Sequence, residues 1–155
     1  MMHSQGTLLY LVAASAAFAA PVRLQCERLE NPLGIDSRVP RFSWQSDNPG
    51  RNWRQSAYRI LVSGSLASAR GGQADVWDSG KQTSGASLDI PYAGPQLESR
   101  KRYYWTVRVW DPSGQMSLAA TPAWWEMGLL APSDWTAQWI AWKDQSEEDL
   151  SLIHI

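Results

Sequence analysis

Tyr103-Tyr104-Trp105-Thr106-Val107-Arg108-Val109-Trp110, followed by Asp111-Pro112-Ser113-Gly114, is the stretch whose reading decides the fold. Tyr103, Trp105, Val107 and Val109 occupy every second position, so in an extended chain they share one face. Tyr104, Thr106, Arg108 and Trp110 share the other. Unbroken alternation of aromatic and β-branched residues predicts a strand with one buried side. Pro112 offers a fixed φ and Gly114 the freedom to reverse, so a hairpin follows, and its return strand reaches Glu126.

The same pattern extends outward in shorter pieces. Val22, Leu24 and Cys26 alternate with Arg23, Gln25 and Glu27, which predicts a first strand, and Asn31-Pro32-Leu33-Gly34 turns the chain. Arg41 to Gln45 follows with Phe42 and Trp44 on one side, and Asp47-Asn48-Pro49-Gly50 breaks it. Tyr58, Ile60 and Val62 point one way in a third run that ends at Ser63-Gly64-Ser65. Val76-Trp77-Asp78 leads into the turn signal Ser79-Gly80, and Ser87 to Ile90 reads as a further short strand before Pro91. The Ala-rich stretch from Leu66 to Gly72 fits either one helical turn or a loop. Some seven strands spaced by turn signals over about 100 residues predict an all-β fold, a two-sheet sandwich rather than a barrel or an α/β fold.

The two ends read differently from the middle, because every Lys, Arg, Asp and Glu lies between Arg23 and Asp149. Leu8 to Ala14 is an apolar run of signal-peptide length, and Ala17-Phe18-Ala19 is a small-x-small cleavage pattern. Residues 1–19 are therefore expected to be a signal peptide, with the mature chain beginning at Ala20 in the periplasm or outside the cell. The run is shorter than the roughly 20 apolar residues of a spanning helix, so no membrane span is expected. Leu150-Ser151-Leu152-Ile153-His154-Ile155 matches the translation of a transposon end used as a sequencing adapter. Residues 150–155 are set aside as adapter read-through, the alternative being a genuine apolar strand. A net charge of −1 gives no footprint for nucleic acid, which is not expected as a partner.

Between those ends stands one cysteine, Cys26, and no histidine. That excludes an intramolecular disulfide, a Cys/His zinc site and any Ser-His-Asp or Cys-His machinery within this region. Arg23-Leu24-Gln25 is a poor lead-in for lipid anchoring at Cys26, which reads as a half-buried strand thiol. Asp36, Asp78, Asp89, Asp111, Glu126 and Asp134 are the carboxylates to screen as an acid–base pair. Asp78 and Asp111 sit in turn sequences where Asp caps backbone amides. No catalytic, cofactor-binding or metal-ligating residue is assigned.

Ten tryptophans are the compositional oddity, since an aromatic face can stack on a sugar ring. Trp44 and Trp105 follow the core face. Trp53, in a polar Arg-Asn-Trp-Arg stretch, and Trp110, opposite Trp105, are the candidate exposed aromatics. They serve either as an interface with neighbouring domains or as a glycan platform. Trp124 and Trp125 point to opposite sides if one strand holds both.

Leu97 stands six residues before Tyr103, and this spacing resembles the corner and following strand of fibronectin type III domains. The resemblance makes Tyr103 a structural tyrosine corner, its hydroxyl bonded back to the corner backbone. A second resemblance covers nearly the whole mature chain. Its landmarks are Asn31-Pro32-Leu33-Gly34-Ile35-Asp36, Pro40-Arg41-Phe42-Ser43-Trp44, Gln55-Ser56-Ala57-Tyr58-Arg59-Ile60, Asp78-Ser79-Gly80-Lys81 and Tyr104 to Asp111. In that order they resemble the N-terminal domain of bacterial α-L-rhamnosidases, glycoside hydrolase family 78.

Asp134-Trp135-Thr136-Ala137-Gln138-Trp139-Ile140 resembles the opening of the next β-sandwich in those enzymes. The resemblance implies an immunoglobulin-like, fibronectin III-like sandwich over residues 20–128 and the truncated start of a second β domain over 129–149, which takes in Trp135, Trp139 and Trp142. It also implies an intact parent that removes terminal α-L-rhamnose from glycosides with inversion, through acidic residues in an (α/α)6 barrel. No position here matches those residues. The implied partners are downstream domains of the same polypeptide and, for the parent, a rhamnose-containing glycoside. The alternative is a carbohydrate-binding or structural module of another surface protein.

Overall fold

A computed structural model describes residues 20–47 and 53–138. The expected signal peptide over 1–19, the Asn48-Pro49-Gly50 break, Trp139, Trp142 and the 150–155 tail lie outside the described residues. Among the described residues seven strands form: β1 (Pro21–Cys26), β2 (Arg41–Ser46), β3 (Ala57–Ser63), β4 (Trp77–Asp78), β5 (Ile90–Pro91), β6 (Arg102–Trp110) and β7 (Ala123–Glu126). They make two antiparallel sheets, β1-β2-β5 and β4-β3-β6-β7, packed as an immunoglobulin-like sandwich.

β6 lies between two neighbours, and its register is set along its whole length. β3 pairs with it from Ala57↔Trp110 to Ser63↔Tyr104, and β7 pairs from Arg102↔Glu126 to Trp105↔Ala123. Tyr103, Trp105, Val107 and Val109 all face inward and are buried, beside Tyr58, Ile60 and Val62 of β3. From the other sheet Phe42 brings its ring centroid to 4.5 Å from Trp105 and 5.3 Å from Trp125. Trp44 meets Tyr58 edge-on at 5.3 Å. Fully burying a side chain of Phe size stabilises a fold by about 1.5–3 kcal/mol, so this aromatic layer is a main source of stability.

The outer face of β6 is less wet than alternation alone implies. Thr106 and, beside it on β3, Leu61 are buried. The Leu66–Gly72 ambiguity resolves as a short helix, α1 (Leu66–Arg70), which packs against β3 and β6. The Ser65 side chain caps it by accepting from Ser68 N at 3.1 Å, and Ala69 is the small residue it buries. Thr106 Oγ1 satisfies its burial by donating to Ala120 O at 2.7 Å.

Elsewhere the simple pattern bends. In β1 the register against β2 slips between Val22 and Gln25, so Arg23 and Leu24 together oppose Trp44 and Arg23 takes φ 49°. This is a β-bulge, and it re-aims the strand. Leu24 and Cys26 face the core and Pro21 is buried, while Val22 is left half-buried instead of sharing their face. Cys26 is fully buried rather than half-buried, and burial together with the charge of Glu27 pushes its thiol up to about 12.

β5 covers only Ile90–Pro91 where the pattern ran from Ser87 to Ile90. The earlier residues bond to β2 irregularly, with Trp44 N donating to Ser87 O and Asp89 N to Ser43 Oγ, both at 3.0 Å. The return limb from Gln115 is also irregular. Ser117 N and Ala120 N reach Val109 O and Val107 O, three residues against two, before regular pairing begins at Ala123.

The Asn31 to Asp36 segment closes the free edge of β7. Asn31 Oδ1 accepts from Trp124 N at 3.0 Å and Pro32 O from Glu126 N at 2.9 Å; Ile35 N donates to Glu126 O at 2.9 Å, and Gly128 N to Ile35 O at 2.7 Å. Ile35 and Met127 pair in parallel. The approach is close enough that a Cβ on Gly128 would stand 3.1 Å from Gly34 O, which accounts for glycine at 128. A covered edge removes a template for strand addition by other chains.

Candidate functional site

Tyr103 is held on two sides. Its hydroxyl accepts from Glu98 N at 3.0 Å, which ties the corner before β6 to the strand, and its ring stacks on Trp125 with centroids 5.2 Å apart. Those contacts belong to packing.

Trp53 and Trp110 sit in different surroundings. Trp53 is half-buried and packs against the core. Trp110 ends β6 on the outer face of the four-stranded sheet, half-buried, with Lys81 Nζ 4.8 Å from its ring centroid. Ser56 bonds the backbone here, its hydroxyl donating to Trp110 O at 3.1 Å. The outer face of the same sheet carries another cation over a ring, Arg102 at 4.1 Å from Trp124, while Trp125 points inward and is buried. Alternation foresees that split of Trp124 from Trp125. The Lys81 and Arg102 contacts escape it, because the partners are 29 and 22 residues apart.

Of the six screened carboxylates Asp36 is exposed, and the other five are engaged structurally. Asp78 pairs with Arg59 at 2.5 Å, Asp89 with Arg28 at 2.6 Å and Glu126 with Arg102 at 2.9 Å. Asp111 caps its own turn, accepting from Ser113 Oγ at 2.6 Å and Gln115 N at 2.9 Å. Hydrogen bonds from Arg59, Arg28, Ser113 and Ser99 hold Asp78, Asp89, Asp111 and Asp134, respectively, below the usual carboxylate range. A general acid for glycoside cleavage needs the opposite shift, so these four are poorly suited to that role. Among the described residues no three His, Cys, Asp or Glu side chains gather in a way that could hold a metal ion.

A polar cluster that sequence reasoning missed stands where the chain leaves the sandwich. Asp134, in a 3-10 turn over Pro132–Asp134, turns one carboxylate oxygen back to accept from Leu130 N at 3.1 Å, Ala131 N at 2.9 Å and the Ser99 hydroxyl. Ser99 Oγ accepts from Leu130 N at 3.0 Å, and the Arg38 guanidinium donates to Leu130 O. The three side chains come from the loop before β2, the corner before β6 and the exit. No sequence period links them.

The geometry has the partition of an immunoglobulin sandwich with a tyrosine-bonded corner and a covered final strand. Residues 21–131 match the family model described as the Rha78A-like, N-terminal immunoglobulin domain. The chain belongs to this family. An α-L-rhamnosidase from Streptomyces avermitilis is 50% identical over 117 residues, covering 74% of this chain and 11% of that protein. One from Formosa agariphila is 45% identical over 111 residues, covering 71% of this chain and 12% of its own length. The crystal structure of the Streptomyces avermitilis α-L-rhamnosidase complexed with L-rhamnose superposes with a TM-score of 0.75 at 44% identity, over 80% of this chain and 12% of that one. The chain thus spans about a tenth of the length of these relatives, and the Rha78A-like N-terminal domain accounts for nearly all of the described residues.

Proposed function

We propose that this chain is the non-catalytic N-terminal part of an exported α-L-rhamnosidase, a glycoside hydrolase that releases terminal α-L-rhamnose with inversion. The catalytic (α/α)6 barrel then lies in sequence outside these 155 residues. The observation that carries the reading is the match of residues 21–131 to the N-terminal domain of rhamnosidases that are some nine times longer than the stretch they share with it. The state of the carboxylates supports it. Inversion requires one protonated acid and one carboxylate roughly 6.5–9.5 Å apart around a water. Here Asp78, Asp89 and Glu126 are bound to arginines, and Asp111 and Asp134 to nearby hydroxyl and amide donors.

Export is part of the same proposal. It rests on the apolar Leu8 to Ala14 run and the Ala17-Phe18-Ala19 pattern, and places the mature protein in the periplasm or outside the cell. N-terminal sequencing of the protein recovered from its producing cell should begin at Ala20; a start at Met1 would refute export.

The test of the main reading is hydrolysis of an aryl α-L-rhamnoside. The intact parent should turn it over and the 155-residue chain should not. Turnover by the chain alone, or none by the parent, sinks the proposal. Saturable binding of rhamnose-containing oligosaccharide to the chain, lost on Trp110→Ala, would instead favour a carbohydrate-binding module.

A further inference from the structure

The exit from the sandwich is built as a fixed surface rather than a slack connection. Three side chains make four hydrogen bonds to the backbone of Leu130 and Ala131: the Asp134 carboxylate and Ser99 hydroxyl on the amide side, and the Arg38 guanidinium on Leu130 O. A fifth bond, from the Ser99 hydroxyl to the Asp134 carboxylate, ties the two amide acceptors together. Ahead of it, Gly128 is pinned between Ile35 and Arg100, its N–H bonded to Ile35 O and its carbonyl accepting from Arg100 N at 3.1 Å. None of this is demanded by the core, since Arg38, Ser99 and Asp134 lie outside it.

Leu130 of this held segment packs against the core, while other apolar side chains on and beside the segment are exposed. Trp135 is 62% exposed, Leu129 is 37% exposed, and Val39 beside Arg38 is 52% exposed. Arg38, Leu97, Ser99, Leu130 and Asp134 line a recess of about 490 Å³ at the same place. A tryptophan left in water on a hydrogen-bonded backbone is the composition of an interface whose other half is elsewhere.

We propose that this surface, although the sequence places residues 129–149 in the next domain, belongs to the sandwich and is the docking face for the domain that follows residue 138 in the same polypeptide, with the Asp134–Ser99–Arg38 latch setting the direction in which that domain is held. The commitment to that occupant comes from continuity. The exposed residues sit on the strand of chain leaving the sandwich, and the rhamnosidases matched here carry close to nine-tenths of their length outside the matched stretch. The inference rests on the reading of this chain as an N-terminal part of a longer protein, and it makes no use of activity.

Amide hydrogen exchange tests both halves. In the 155-residue chain, Leu130 and Ala131 should exchange at least about tenfold slower than in an unstructured peptide. Asp134→Ala should abolish protection at Ala131 and reduce it at Leu130, whose N–H keeps Ser99 Oγ as an acceptor, while leaving the β6 amides unchanged; Asp134→Asn should keep part of the Ala131 protection, because the amide oxygen still accepts. Full exchange at Leu130 and Ala131 in the unsubstituted chain would overturn the latch. In the intact parent the Glu98, Leu130 and Ala131 amides should gain at least about a further tenfold over the isolated chain, and Trp135→Ala should remove that gain. Equal protection in chain and parent would overturn the docking face. An inactive parent that showed both effects would refute the enzymatic reading alone.

Discussion

β6 and β1 are written in the same alternating code, yet only β6 keeps it. β6 has β3 on one side and β7 on the other, and every residue from Arg102 to Trp110 has a fixed partner. β1 has β2 alone, and its ladder slips by one residue at Arg23-Leu24. A slip in a two-sided strand would turn a whole face of side chains away from the core. At an edge it costs one irregular residue and moves Val22 half out of the core. Alternation therefore reports burial faithfully where neighbours hold register on both sides, and less so at a rim.

The sharpest way to break the comparison is to cut into each strand. Trp105→Ala should cost about 3–5 kcal/mol, because the ring is wholly buried against Phe42 and its loss leaves a cavity between the sheets. Leu24→Ala in β1 should cost less, about 2–3 kcal/mol, since the bulged edge can close over a smaller side chain. Urea unfolding of both variants measures the difference, and equal losses would remove the distinction between centre and edge.

Tyr103→Phe comes next, at about 1–2 kcal/mol. It keeps the ring stacked on Trp125 and removes only the acceptor for Glu98 N, so increased exchange should be confined to the corner amides. Arg23→Gly acts the other way. A left-handed backbone costs an L-residue about 1–2 kcal/mol, and glycine gives back about 0.5–1 in unfolded-chain entropy, so a net gain of about 0.5–1 kcal/mol is expected. A loss would mean that the arginine side chain matters more than its backbone.

Acid should separate the strands last and least. Beyond the end of β1, Glu27 is held below the usual carboxylate range by hydrogen bonds from Arg41, and Asp89 likewise by Arg28. A lowered folded pKa gives stability that is full above the ordinary carboxylate value and lost as pH falls through the lowered one. Protection of the β1 and β2 amides should thus decline below about pH 4 before that of β6, and Glu27→Gln should flatten much of the decline. The effect is small because these ion pairs are partly solvent-exposed.

Most of the sandwich was legible because its core faces alternate: Phe42 with Trp44, Tyr58 with Ile60 and Val62, and Tyr103 through Val109 all point as their spacing predicts. The shortfalls have physical causes. β5 loses its first residues to side-chain and irregular backbone bonds around Ser43 and Ser87, and the return limb runs out of register around Ser117 to Ala120. Trp53 in a polar stretch looked exposed, but what decides its burial is the core beside it, which local sequence does not encode. The exit latch was invisible for a related reason. Arg38, Ser99 and Asp134 meet only after the sheets have stacked, and each alone is an ordinary polar residue.

The pairing of the Asn31 to Asp36 segment with β7 has a mechanical consequence. The two run in the same direction at opposite ends of the domain's sequence, so tension applied between Asn31 and the exit at Gly128 loads their bonds together, in shear. An antiparallel hairpin pulled at its open end would unzip one bond at a time. Under such a pull the bonds at Trp124, Glu126 and Gly128 would share the load and have to fail together.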